Sequence, residues 1–204
     1  MVVGNPTNPT SVLHTREELL ALRRPGRILV VDEAFADSVP GEPESLAGDC
    51  LPDVLVLRSL TKTWSLAGLR WGYALGARTC WPADRAARAL AGGHPATGGH
   101  RGVLCARSGG RGRRQCRAVR GTARGDGGGL KSGGATVVDG CAPFVLFGMP
   151  DAERIRNDLH HKRIAVRRCD TFVGLGDRYL RAAVRAEWPR LVQAIGCWHS
   201  GRRQ

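Results

Sequence analysis

Lys62 follows closely on the apolar run Val54–Leu57, with hydroxyls at Ser59 and Thr61 and a guanidinium at Arg70. An amine beside a buried strand is held near neutrality by its surroundings, and a neutral amine is a nucleophile toward carbonyl carbon. Serine, threonine and arginine are the residue types that hold a phosphate or a ring substituent. Two more groups occupy comparable places. Asp32 and Glu33 end the apolar run Ile28–Val31, and Asn8 lies in a proline-bounded turn after Met1–Val3.

The elements that must position these residues can be read from the pattern. Val54–Leu57 and Arg27–Val31 are continuous apolar runs, too short for helices and rich in β-branched residues, as in fully buried strands. The two prolines in residues 5–10 remove amide donors and restrict their neighbours, which predicts a turn. Thr15 and Glu18 have the spacing of a capping box, predicting a short helix over residues 17–24 that buries Leu19, Leu20 and Leu22 and stops at Pro25–Gly26. Apolar run, polar group and connection recur, so the fold class is α/β with a mainly parallel sheet. Ligands gather beyond the carboxyl ends of such strands, and Asn8, Asp32 and Lys62 are expected there together. Beyond residue 134 the pattern is β-β-α-β-β-α: strands at 135–139 and 144–147, a helix from Asp151 to His160, strands at 164–167 and 179–184, and a helix at 189–195. That succession predicts a separate, small C-terminal α+β domain.

A lysine, an aspartate and an asparagine at strand ends have one shared use if the ligand is pyridoxal 5'-phosphate. The amine condenses with the aldehyde, the carboxylate keeps the pyridine nitrogen protonated, the amide polarises the ring hydroxyl, and Ser and Arg hold the phosphate. The stretches Asn8-Pro9-Thr10, Asp32-Glu33-Ala34-Phe35 and Ser59-Leu60-Thr61-Lys62, continuing to Gly68-Leu69-Arg70-Trp71-Gly72-Tyr73, resemble the class I and II aminotransferases of fold-type I. Within them the chain is most similar to histidinol-phosphate aminotransferases and cobalamin-pathway threonine-phosphate decarboxylases. Phe35, where most of the family has tyrosine, leans toward the decarboxylases.

The resemblance implies that Lys62 is the cofactor-bearing lysine and proton shuttle, Asp32 the pyridinium partner, Asn8 the ring-hydroxyl donor, and Ser59 and Arg70 phosphate ligands. It implies that Arg181, in Tyr179–Arg185, binds the substrate carboxylate, and that Arg167 and Arg185 serve a phosphorylated substrate. It further implies a small-molecule amino-acid substrate, transamination or decarboxylation, and a homodimer. The family places a glycine-rich phosphate loop and a stacking aromatic before the Asn-Pro-Thr turn, so this chain resembles the C-terminal part of a longer enzyme. A non-catalytic fragment is the alternative reading.

The net charge of +13 suggests nucleic-acid binding only until its distribution is examined. Residues 78–134 hold eleven Arg and one Lys against Asp84 and Asp126, a balance of +10, which leaves +3 for the rest of the chain. Fifteen of these 57 residues are Gly and five are large aliphatics, a composition that cannot bury enough apolar surface to offset ordering. The expected organisation is therefore 1–77 as a partial cofactor-binding large domain, 78–134 as a disordered or frame-shifted segment, and 135–204 as the small domain. The resemblance vanishes abruptly near Ala77 and returns near Gly134. A competing reading takes Gly109–Arg114 as part of an Arg/Gly-rich nucleic-acid-binding insert, but Trp81 is the one aromatic in the segment.

Seven cysteines include no C-x-x-C pair, and His94, His100, His160 and His161 lack ligand partners at metal spacing, so no metal site is expected. No run approaches a membrane span and no secretory h-region opens the chain, so a cytoplasmic location is expected.

Overall fold

The computed structural model of the chain describes residues 1–62, 72–80 and 127–200. They form two units: residues 1–6, 13–62 and 72–80 in the first, and residues 7–12 and 127–200 in the second.

The first unit is built on one sheet of β1 (Val2–Gly4), β2 (Leu29–Asp32), β3 (Val54–Ser59) and β4 (Gly72–Gly76), in that order. β1, β2 and β3 run parallel and β4 antiparallel, with Asp32 in register with Leu57 and Ser59 with Gly72. Alternation puts Leu29, Val31, Val54 and Val56 on one face, where they pack with Leu19 and Leu46 and are at most 2% exposed. Burying each such side chain contributes about 1.5–3 kcal/mol. Leu19 comes from α1 (Arg16–Ala21), which starts where the Thr15 hydroxyl accepts from Glu18 N and the Glu18 carboxylate accepts from Thr15 N at 2.8 Å. These are the reciprocal bonds of the expected capping box. The chain then turns through Gly26, whose φ of +72° suits glycine.

β4 was not foreseen from the sequence. Its first residue shows why the pairing is possible: a Cβ on Gly72 would stand 2.7 Å from the Arg58 carbonyl oxygen, so only glycine lets the strand approach. The sheet is therefore mixed, with its parallel part at β1, β2 and β3.

The second unit carries β5 (Thr136–Val138), β6 (Phe144–Gly148), α2 (Ala152–His161), β7 (Arg167–Arg168), β8 (Tyr179–Ala183) and α3 (Trp188–Ser200). The sheet order is β5-β6-β8-β7 and every pair is antiparallel. Ala152, Ile155 and Leu159 of α2 recur at helical spacing and meet Val145, Phe147, Leu180, Trp188 and Ile195 in one core. The β-β-α-β-β-α succession is as expected, with changed bounds. α3 extends beyond residues 189–195 at both ends, and β7 is two residues long. Asp151 occupies the N-cap of α2, and its carbonyl accepts from Ile155 N at 2.9 Å.

Segment 7–12 belongs to this unit through Ser11. Ser11 is buried, has φ +65°, and accepts from Ala142 N through Oγ at 2.6 Å and from Cys141 N through its carbonyl at 2.8 Å. Both borders of the glycine-rich stretch 78–134 carry structure. Arg78–Cys80 forms a 3-10 turn in which Thr79 donates to the Pro52 carbonyl at 2.7 Å. Residues 127–132 are helical, and Leu130 is fully buried in the second core. The disordered, frame-shifted and nucleic-acid readings fall on residues 81–126, which lie outside the described residues. Among the described residues no helix is long and apolar enough to cross a membrane.

Candidate functional site

Parallel pairing of β2 and β3 brings their carboxyl ends to one edge of the first sheet, and with them Asp32, Ser59 and, just beyond, Lys62. Asp32 is exposed, and its Oδ1 accepts from Ala34 N at 3.0 Å, which orients the carboxylate at the strand end. Ser59 Oγ and Thr61 Oγ1 lie 2.8 Å apart, and Thr61 N donates to Ser59 Oγ at 3.2 Å. Lys62 is exposed, with Nζ 5.5 Å from the centre of the Phe35 ring, within reach of a cation–π contact. The enclosed amine expected from the sequence is thus corrected: Lys62 lies three residues past the last residue of β3, clear of the packed face.

Beneath this edge lies an ion cluster. Glu33, directly after Asp32, has a side chain with no exposure and accepts from Ser45 Oγ at 2.6 Å and Leu46 N at 2.7 Å. Arg58, directly before Ser59, has Nε 3.5 Å from Glu33 Oε2, donates from Nη1 to Asp37 at 3.0 Å, and donates from Nη2 to Glu42. Burial raises the Glu33 pKa from its ordinary value, while the Ser45 and Leu46 hydrogen bonds and the Arg58 charge oppose the rise. Burial also works against the charge of Arg58, but its hydrogen bond to Glu42 and the attraction of Glu42, Glu33 and Asp37 carry its pKa upward. Tyr73, paired with Arg58 across β3 and β4, is raised by burial, against the Arg58 charge.

In the second unit Arg181 projects from β8, donates from Nη1 to Asn8 Oδ1, and stacks its guanidinium 4.8 Å from the centre of the Phe144 ring. Arg167 stands opposite it in register on β7. Burial, then the neighbouring Arg167 charge, lower the Arg181 pKa from its ordinary value. An aromatic platform and an amide oxygen hold this guanidinium in place against the repulsion of Arg167, leaving donors for a planar anion.

Of the sequence-predicted residues, the structure gathers Asp32, Ser59 and Lys62 in the first unit and Asn8, Arg167 and Arg181 in the second. Asn8 belongs to the second unit, where it accepts from Arg181 and where Ser11 fastens its segment to residues 141 and 142. Arg185 is exposed beyond β8 and Arg70 lies outside the described residues. Sequence reasoning passed over Arg58 and its carboxylates. The available signal was a charge at the end of an otherwise apolar run and a second acid beside Asp32. No His, Cys, Asp and Glu group among the described residues could hold a metal ion.

Residues 1–98 match the family model described as aminotransferase class I and II. The match continues past Ala77, where the motif resemblance was read as ending. The whole chain is 60% identical to a histidinol-phosphate aminotransferase of Mycobacterium tuberculosis strain H37Rv and spans 57% of that relative's length. A stretch covering 38% of the chain is 45% identical to the threonine-phosphate decarboxylase of Pseudomonas aeruginosa, over 24% of its length. Among solved structures, the histidinol-phosphate aminotransferase of Clostridium acetobutylicum superposes with a TM-score of 0.80 at 20% identity, over 98% of this chain and 63% of that one. That of Sinorhizobium meliloti, solved in complex with pyridoxal-5'-phosphate, gives 0.76 at 19% identity, over 98% and 57%. The fold is that of these α/β enzymes.

Proposed function

We propose, from the match of residues 1–98 to the aminotransferase class I and II model and from the 60% identity to a histidinol-phosphate aminotransferase, that the chain belongs to that family and serves pyridoxal-phosphate-dependent transamination of a phosphorylated amino acid. The observation that carries this reading is the meeting of a primary amine, a carboxylate and paired hydroxyls at the carboxyl edge of β2 and β3. That donor set fits the cofactor, which has an aldehyde for the amine, a ring nitrogen for the carboxylate and a phosphate for the hydroxyls.

Bound pyridoxal phosphate supplies an electrophilic aldehyde and a ring that accepts electrons. Lys62 Nζ holds it and afterwards carries a proton to or from the substrate's α-carbon. Asp32 keeps a proton on the pyridine nitrogen, its carboxylate steadied by Ala34 N. Ser59 and Arg70 hold the phosphate, with Thr61 orienting the Ser59 hydroxyl. In the second unit Arg181 takes the substrate carboxylate, with Arg167 and Arg185 as further cations for a phosphorylated side chain. Asn8 Oδ1 is committed to Arg181, so Nδ2 is the donor that remains for the ring hydroxyl. A second copy of the chain as partner and action in the cytoplasm complete the reading.

Decarboxylation is a second reading, supported by Phe35 beside Lys62, where a ring without a hydroxyl replaces the family's tyrosine, and by the 45% identical stretch. The two reactions separate in one incubation of chain, cofactor and phosphorylated amino acid. Transamination would release the keto product of the substrate, whereas decarboxylation would release carbon dioxide. Lys62→Ala should do neither, and turnover by that variant would count against the reading.

A further inference from the structure

Resting on the function proposed above, the geometry points to Arg58 and Glu33 as positioning residues for the cofactor-binding edge of the first unit. Arg58 precedes Ser59, and Glu33 follows Asp32. One guanidinium therefore ties the end of β3 to the end of β2 through Glu33 at 3.5 Å, and to the following loop through Asp37 at 3.0 Å and Glu42. The Glu33 carboxylate is fully buried, with Ser45 Oγ and Leu46 N as its hydrogen-bond donors. Glu33 N donates to the Leu57 carbonyl at 2.8 Å, so backbone and side chain together fix the two strand ends.

Stability alone does not account for such a cluster. Desolvating ions costs about as much as their attraction returns, and apolar residues of similar size often serve as well. What apolar packing does not supply is direction. The two Nη groups of the planar fork meet Asp37 and Glu42 at set angles while Nε faces Glu33 as an ion pair without a hydrogen bond, so shifting the end of β3 against the chain that leaves β2 disturbs all three contacts at once. Asp32 and Ser59 inherit that fixed placement, although neither Arg58 nor Glu33 reaches the ligand.

The test uses the full chain with Arg58→Lys, Arg58→Met and Glu33→Gln. Arg58→Lys keeps the charge and loses the fork. In the absence of cofactor, hydrogen exchange at amides 32–36 and 57–62 should quicken about tenfold or more in Arg58→Lys, the factor expected on losing a charge-assisted bond. Amides 144–148 and 179–183 of the second unit should keep parental rates. Pyridoxal phosphate titrated into the same variant should bind at least about tenfold more weakly, with a urea midpoint closer to the parent than that of Arg58→Met. Parental exchange at 32–36 and 57–62 in Arg58→Lys overturns the positioning role, and so does parental affinity where the parent binds the cofactor. If neither parent nor variants bind cofactor through Lys62, the proposed function fails, and the exchange rates alone decide whether the fork sets the strand ends. Should Arg58→Met not fold, Arg58→Lys and Glu33→Gln carry the test.

Discussion

Replacing Arg58 by Met leaves Glu33 as a buried carboxylate without its counter-charge, and the cost should depend on pH in a calculable way. Asp37 and Glu42 are 27% and 32% exposed, so losing them as partners costs about 0.2–1 kcal/mol each. Glu33 has no exposure, and stripping one partner from a buried pair costs about 3–5 kcal/mol unless the remaining group neutralises itself. Burial already raises the Glu33 pKa, and removing Arg58 takes away an opposing charge, so the carboxyl can keep its proton in the folded variant. A proton so held costs about 1.36 kcal/mol for each pH unit above the unfolded value, so the loss of stability in Arg58→Met grows from pH 5.5 to pH 7.5. The sign follows from the raised folded pKa. The stabilising contribution is complete below the unfolded pKa and is lost as pH rises toward the folded one. Urea unfolding of parent and Arg58→Met, followed by far-UV circular dichroism at the two pH values, reads the difference. A loss of stability equal at pH 5.5 and 7.5 would refute the assignment of the cost to Glu33.

Thr15→Ala removes the hydroxyl of the capping box from an exposed position, so it should cost about 1 kcal/mol in urea unfolding, and Thr15→Ser should recover most of it. Phe147→Ala deletes a fully buried ring from the second core and should lower stability by about 3–5 kcal/mol in thermal or urea unfolding. Gly140→Ala would set a methyl group against Ser11, so the Cys141 and Ala142 amides should exchange faster than in the parent while amides 29–32 do not change.

The parts of the fold legible in the sequence are those set by near neighbours. The Thr15–Glu18 capping box is local, and the runs that became β2 and β3 declare themselves by β-branched apolar residues between turns. The motifs around Asn8, Asp32 and Lys62 carried a resemblance to aminotransferases that the match over residues 1–98 and the 60% identity to a histidinol-phosphate aminotransferase bear out. What escaped depends on contacts far apart in the chain. β4 pairs with β3 because Gly72 fits against the Arg58 carbonyl, which no window around Gly72 displays. The grouping of Asn8 with Arg181 rests on Ser11 meeting Ala142, across more than half the chain. Arg58 looks like an incidental charge until the loop that follows β2 brings Asp37 and Glu42 to it. Lys62 kept its strand-end address but not the enclosure expected of it, since enclosure depends on what packs around it rather than on the run before it.

The central claim is that Lys62 is the residue that takes up pyridoxal phosphate, and reductive trapping tests it most directly. The full chain is incubated with the cofactor, reduced with borohydride, digested and mapped by mass spectrometry. The account predicts a pyridoxyl adduct on the peptide containing Lys62, with the accompanying visible absorption lost in Lys62→Ala. Adducts spread over Lys131 and Lys162 as readily as over Lys62, or absorption unchanged in Lys62→Ala, would contradict it.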